Sequence, residues 1–340
     1  MTTIVLFGGR SDERHVSVAS AQNVVRTLGA PLAWFWAPNG AIHDVALDDL
    51  LAHQRAFETD FLPTRPALWP NLEQALDTLP VDDPVFLLAL HGGEGENGTV
   101  QLLLEERGIP FTGSGAVASA AAFDKEQAKA KAAGRVRVAE SRVSRLVSEL
   151  PAIVDDMLSR YERIVLKPVA GGSSRGLFFL GRDGDRLDVI EKVTALGVPY
   201  IIEQFLAGRE ITVGVIDRGD GQGPFALPCL EIEVDPGHAF DYEGKYLGKG
   251  TREICPANIG DSLAADAKQT ALEAHLALGC EGYSRSDLVA TDDGCYFLEV
   301  NTLPGLTTSS LVPQQLRAAG IEFRTFLEEQ MELARRRAGR

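Results

Sequence analysis

Residues 285–305 constrain this 340-residue chain more than any other stretch. Two apolar, β-rich runs flank Asp292, Asp293 and Gly294, a pattern that predicts a hairpin. Within each run the polar residues stand two apart, so each pair projects from one face of its strand. A loop of Asp292, Asp293 and a left-handed Gly294 sets Asp287 opposite Glu299 and Arg285 opposite Asn301. A two-residue Asp-Gly turn would put Asp287 opposite Val300, on the wrong face, so the longer loop is the expectation. Two carboxylates, an amide oxygen and a guanidinium then share one surface. Hard oxygen donors of this kind suit Mg²⁺, which keeps waters and shares its shell with phosphates. The competing reading is a solvated hairpin face carrying ordinary charges.

The chain is too long for one compact core, so two or three domains are expected. With 45% apolar and 24% charged residues it has the composition of a soluble globular protein. A formal charge of −15 argues against nucleic acid or an anionic membrane as the main partner. An anionic substrate would therefore need local Lys and Arg residues. The four cysteines, Cys229, Cys255, Cys280 and Cys295, are scattered without a Cys-x-x-Cys pair, which favours reduced thiols and a cytoplasmic location. The N-terminus runs straight into a strand rather than a signal peptide, and no apolar run approaches the roughly 20 residues that span a bilayer.

A strand at residues 3–7 breaks at Gly8-Gly9 and leads into a helix carrying Val16, Val18, Ala21, Val24 and Val25. The same strand–glycine–helix order returns at residues 84–90, 91–93 and 99–107. Such alternation implies a mostly parallel sheet with ligands at the carboxyl ends of its strands. Residues 31–80 read as a variable connection with one or two helices and no identifiable chemistry. An Ala-rich helical run follows to Ala133, interrupted by Asp124-Lys125 and Lys129. Strands at 163–169, 176–180 and 200–205 and a helix near 188–196 make a small α+β unit. Beyond Leu206, strands at 210–216, 229–234, 284–290 and 295–300 accompany helices at 262–278 and the C-terminus. The expected division is 1–113, 114–205 and 206–340.

Several segments can carry chemistry. Lys167-Pro-Val-Ala-Gly-Gly-Ser173-Ser174-Arg175-Gly176 lies between two strands, where glycines let N–H groups converge on an anion. No Gly-Lys-Ser/Thr opens a helix, so it is not a Walker A loop, and a flexible hairpin tip is the alternative. Glu203 and Glu210 bracket a connection whose backbone could face an adenine, or which is an ordinary acidic linker. Residues 240–250 form a polar loop of the kind that covers active sites, or a surface excursion. His91 stands at a strand end where a ligand would lie, although a lone histidine is more often a structural hydrogen-bonder. No Ser-His-Asp order or His cluster supports nucleophilic or zinc hydrolysis.

Taken in order, these segments resemble the D-alanine–D-alanine ligases of the ATP-grasp superfamily. The resemblance rests on Phe-Gly-Gly-Arg-Ser-Asp-Glu13, His91-Gly-Gly-Glu-Gly-Glu96-Asn-Gly, Asp124-Lys125, the loop at 167–176 and the segment 203–210. It continues through Asp241-Tyr-Glu-Gly-Lys245-Tyr246, Arg285-Ser-Asp287 and Glu299-Val-Asn301-Thr-Leu-Pro-Gly305-Leu-Thr-Thr-Ser-Ser310-Leu311. It implies an α/β, three-domain ATP-grasp fold: an N-terminal doubly wound parallel sheet, then two α+β domains clasping ATP.

By the same resemblance, Lys125, Lys167, Lys245, Ser173 and Ser174 would attend the ATP phosphates, Glu203 and the Leu206 backbone the adenine, and Glu210 the ribose. Asp287, Glu299 and Asn301 would carry two Mg²⁺ or Mn²⁺ ions. Glu13, with Ser173 and Tyr246, would anchor the first of two D-alanines. His91 would line the substrate site, Ser310 and Leu311 would position the second D-alanine, and Arg285 with the Gly305 N–H would stabilise a tetrahedral oxyanion. Tyr246 implies a dipeptide-forming rather than depsipeptide-forming type. A homodimer making the peptidoglycan dipeptide is implied. The rivals are a ligase joining D-alanine to D-lactate or D-serine, and a catalytically silent nucleotide-binding regulator. Three positions depart from the family pattern: His15 for an acidic residue, Asn97 for Asp, and Arg175 for a small apolar residue.

Overall fold

The computed structural model describes residues 2–172, 174–234 and 250–339. Its first sheet has the order Ile42–Val45, Leu32–Trp36, Thr2–Gly8, Pro84–Leu88, parallel except for the antiparallel Ile42–Val45 edge. The central strands are buried almost throughout, as continuous apolar runs covered on both faces should be. Two of these strands lie within residues 31–80, where the sequence pattern predicts a variable connection with one or two helices. Leu-Ala-Trp-Phe-Trp is too short to show a period, and its Pro, Gly and Trp neighbours disguised a buried strand. Two short helices, Leu47–Ala52 and Leu72–Asp77, occupy the remainder of that stretch.

The Ala-rich run is two helices, Ala116–Phe123 and Lys125–Ala132, rather than one. Asp124 breaks it: its carboxylate accepts from Gln127 N at 3.0 Å, capping the second helix, while Lys125 N donates to Val169 O at 2.9 Å. The alanines of both helices, with Ile211, Val213, Leu288 and Phe297, form one apolar core beneath the largest sheet. That sheet runs Thr251–Ile254, Leu230–Val234, Arg209–Ile216, Tyr283–Thr291, Gly294–Asn301, Arg137–Val138, and Phe225–Ala226 pairs with Arg209–Ile216. The third sheet, also four-stranded, runs Ser141–Ser144, Tyr200–Gln204, Arg163–Pro168, Phe178–Gly181 and has its own core around Leu150, Val154, Ile164 and Ile202.

The C-terminal helix Phe323–Arg337 returns to the first sheet. Phe326, Leu327 and Met331 enter the N-terminal core, and Arg337 donates to the carbonyls of Phe111 and Gly113 at 2.7 Å each. This basic last turn supplies cations to carbonyls, and it ties the two ends of the chain together. All four cysteines are free. Among the described residues no helix is long and apolar enough to cross a membrane.

Candidate active site

The hairpin Tyr283–Thr291 and Gly294–Asn301 pairs Asp287 with Glu299 and Arg285 with Asn301, as the alternation of polar residues predicts. The means differ from expectation. Thr291 pairs with Gly294, so the loop holds only Asp292 and Asp293, and the register instead shifts between Asp287 and Leu288. Leu288 faces Phe297 while Asp287 faces Glu299, leaving Leu298 as a bulge. One extra residue reverses the parity of the strand. Cys295 and Phe297 stay in the core before the bulge and Val300 after it, and Glu299 and Asn301 turn to the open face. A bulge and a longer loop produce the same register, which is why the sequence could not separate them.

On that face Arg285 grips Asp287 through two bonds, Nε to Oδ1 at 2.9 Å and Nη2 to Oδ2 at 2.7 Å. Thr212 Oγ1 donates to Asp287 Oδ1 at 2.6 Å, and Asn301 Nδ2 to Oδ2 at 3.4 Å, which leaves the Asn301 amide oxygen for another partner. Lys125, at the start of its helix, donates to Gly171 O at 2.7 Å and lies 3.4 Å from Glu299. The glycine-loop backbone, a lysine and a carboxylate of the hairpin therefore adjoin. Among the described residues no three His, Cys, Asp or Glu side chains cluster as a metal site. Asp287 and Glu299 are a pair that only an amide oxygen completes, a hard donor set.

A second ionic assembly lies deeper. Glu203, 2% exposed, meets Lys167 at 2.7 Å and is also in contact with Lys129. Burial works against charge on Glu203, yet Lys167 and Lys129 hold its carboxyl below the usual glutamate value. Burial also opposes charge on Lys167, but Glu203 and then Glu299 keep it above the usual lysine value. For Lys129 burial prevails over Glu203, and Lys167 adds repulsion, so its pKa falls. Lys129 joins the assembly without a recognisable motif in the sequence. Its signal was the four-residue spacing from Lys125, which puts both on one helix face.

The open cleft between these elements spans about 980 Å³, bulk solvent at its mouth included, and the connections of all three sheets contribute to its walls. Glu13, His91, Lys125, Arg285, Glu299, Asn301, Gly305, Ser310 and Leu311 line it, and so does Glu96. Lys167, Glu203, Leu206 and Glu210 stand outside this wall: Leu206 is half-buried and Glu210 exposed at the turn into Arg209–Ile216. Ser174 has a left-handed φ of 55° within the glycine loop. Ser173, Lys245 and Tyr246 lie outside the described residues.

His91 has protein partners on both ring nitrogens: Nδ1 with Leu303 O at 2.9 Å and Nε2 with Ser20 Oγ at 2.9 Å. Ser20 Oγ in turn accepts from Leu306 N at 3.1 Å. Burial lowers the His91 pKa to about 4, so the neutral ring fastens the 303–306 loop to the N-terminal sheet. Its bonds are those of the structural reading. Glu13 lies against two glycines. A Cβ at Gly92 would come within 2.6 Å of Glu13 Oε2, and one at Gly172 within 3.1 Å. Glu96 accepts from Gly92 N at 3.0 Å, and burial followed by repulsion from Glu13 raises its pKa to about 8. Ser310 precedes the helix Leu311–Ala318, where its Oγ accepts from Thr307 N at 3.1 Å and closely approaches Gly305.

Two family models match the sequence: D-ala D-ala ligase N-terminus over residues 2–114 and D-ala D-ala ligase C-terminus over residues 148–332. The chain belongs to the D-alanine–D-alanine ligase family. A D-alanine–D-alanine ligase of Cupriavidus metallidurans is 35% identical over 333 residues, spanning 97% of this chain and 90% of the relative. The Bacillus anthracis D-alanine–D-alanine ligase complexed with ATP superposes with a TM-score of 0.73 at 26% identity, covering 100% of this chain and 99% of that one. The VanG D-Ala:D-Ser ligase of Enterococcus faecalis gives 0.79 at 25% identity, with 98% and 99% covered. The fold is the ATP-grasp fold of these ligases.

Each departure from the D-alanine–D-alanine ligase pattern has a local partner. His15 and Arg14 both bond Asp60, at 2.9 and 2.8 Å. Asn97 accepts from Thr99 N at 3.0 Å, where the helix Thr99–Glu105 starts. Arg175 pairs with Asp12, joining the glycine loop to the N-terminal unit.

Proposed function

We propose that this protein joins two D-alanines into D-alanyl-D-alanine at the expense of ATP, supplying a peptidoglycan precursor in the cytoplasm. The observation that carries the reading is the opposed register of Arg285 and Asp287 with Asn301 and Glu299 beside Lys125. A carboxylate is a poor electrophile, so the γ-phosphoryl of ATP first converts one D-alanine to an acyl phosphate. The second amine then attacks its carbonyl and phosphate leaves. Positioning and charge neutralisation do most of the work in phosphoryl transfer.

In this reading Lys125 and Lys167 face the phosphates, together with Ser173, Ser174 and Lys245 of the loops. Glu203, the Leu206 backbone and Glu210 attend the nucleoside. The buried Lys129 belongs to this group through Glu203. Asp287, Glu299 and the Asn301 amide oxygen would hold two Mg²⁺ or Mn²⁺ ions, which neutralise phosphate charge when bound. Their hard oxygens fit such ions, and Arg285 and Thr212 orient Asp287 for the purpose. Glu13, with Ser173 and Tyr246, would receive the first D-alanine's ammonium. Ser310 and Leu311 would take the second substrate's carboxylate at the start of their helix. Arg285 and the Gly305 N–H would stabilise the oxyanion, where one donor is worth about 3 kcal/mol. His91 would act by holding the 303–306 loop.

Units at 1–113, 114–205 and 206–340 remain part of this reading: residues 150–202 have a core of their own, while the two alanine-rich helices and the C-terminal helix share cores with neighbouring units. Family membership supports a homodimer. Mass spectrometry after incubation with ATP, Mg²⁺ and D-alanine, D-serine or D-lactate tests the reaction. The expected main product is D-alanyl-D-alanine. A dominant D-alanyl-D-serine or depsipeptide product would move this chain to the neighbouring specificity, and no amino-acid-dependent phosphate release would reject catalysis.

A further inference from the structure

The strand Thr251–Ile254 contributes an acidic side chain to the cleft that the reaction described above does not use. Side chains alternate along a strand. Arg252 pairs with Glu233 across the neighbouring strand, on the exposed side. Glu253 therefore turns the other way and lines the cleft with Arg285, Ser309, Ser310 and Leu311. In register it sits opposite Ile232, which packs with Leu230 and Leu311 in a small apolar cluster. Its hydrogen-bond partner is the neutral amide of Gln314, which also donates to Ser309 O at 2.7 Å. Among the described residues no Lys, Arg or His forms an ion pair with it, and the nearby Arg285 is already gripped by Asp287. Burial raises the Glu253 pKa, outweighing Gln314 and Arg285.

Among the described residues, this carboxylate on an apolar floor has one amide donor and no ion-paired cation. The helix start at Ser310 and Leu311, on the same wall, is suited to a carboxylate. An anion-accepting helix start and an anionic side chain on one wall match the two ends of an amino acid. We propose that Glu253 is a specificity-determining residue that receives the ammonium of the second D-amino acid and favours amine over hydroxyl nucleophiles. The bond is charge-assisted for an amino acid and absent for a 2-hydroxy acid. This rests on the ligase reading given above, and it adds a residue to the second-substrate site.

The test is steady-state phosphate release by wild type and Glu253→Gln, which keeps the shape and removes the charge. The Michaelis constant for the second D-alanine should rise about tenfold while those for ATP and the first D-alanine stay within about twofold. With D-lactate as second substrate the variant should match wild type, so the dipeptide-to-depsipeptide ratio falls. Glu253→Asp should recover part of the loss, and equal melting temperatures would exclude misfolding. An unchanged second-site constant, or an equal loss at all three sites, would overturn the proposal. Absence of turnover in wild type would instead remove the ligase reading, and this proposal with it, before any variant is compared.

Discussion

Two assemblies of carboxylate and cation, one beside the cleft and one outside its wall, are built on opposite principles. Glu203 with Lys129 and Lys167 is sealed: Glu203 is 2% and Lys129 4% exposed. Around Asp287 and Glu299 the side chains keep 18% and 26% of their exposure. The buried set is fixed by its partners, because an unpaired charge there would be costly. The open set is oriented by the sheet: Glu299 and Asn301 line the cleft, as does Arg285, which holds Asp287. Removing a charge from the first should therefore cost stability, and from the second, catalysis.

The largest effect is expected in the open set. Glu299→Ala should lower D-alanine-dependent phosphate release by on the order of a thousandfold, comparable to losing a key transition-state contact, with a near-wild-type melting temperature. Normal turnover would refute its role, and a large drop in melting temperature would erase the contrast. In the sealed set, Glu203→Gln leaves two buried ammonium groups facing a neutral amide. Denaturant unfolding should show a loss of about 3–5 kcal/mol. A loss as small as that of an exposed pair would break the comparison from the other side.

A smaller effect concerns pH. His91 titrates near 4 when folded, against about 6.5 when unfolded. Between those values the unfolded chain holds more protons, so the His91 contribution is complete above about 6.5 and lost as pH falls towards 4. Glu96 has the opposite sign: its pKa rises to about 8, so its contribution is complete below the usual glutamate value and lost as pH climbs through 8. His91→Asn should therefore flatten the acid limb of stability against pH by at most about 3 kcal/mol. The buried His275, also near 4, would keep the remaining slope. Identical limbs in variant and wild type would show that His91 is not held neutral.

What could be read from sequence follows the same division. Asp287, Glu299, Arg285 and Asn301 were legible because strand alternation is a two-residue rule, and each pair obeyed it. The bulge at Leu298 was not, since Phe297-Leu298 reads as ordinary apolar sequence and the register is equally reached by a longer loop. The Lys129 contact with Glu203 joins a helix to a strand some seventy residues away, and only folding reveals that neighbour. Leu32–Trp36 escaped because a short, largely buried strand has no period. Glu253 escaped because it follows a polar, glycine-punctuated stretch of sequence, and one carboxylate there reads as solvated.

The proposed reaction depends most on Asp287, Glu299 and Asn301 serving as the divalent-cation site for ATP. Electron paramagnetic resonance of free Mn²⁺, titrated into the protein with a non-hydrolysable ATP analogue, measures this without any turnover. Wild type should withdraw two Mn²⁺ per chain from solution, and Glu299→Ala should withdraw fewer at matched analogue occupancy. Equal Mn²⁺ uptake by the two proteins would contradict the account.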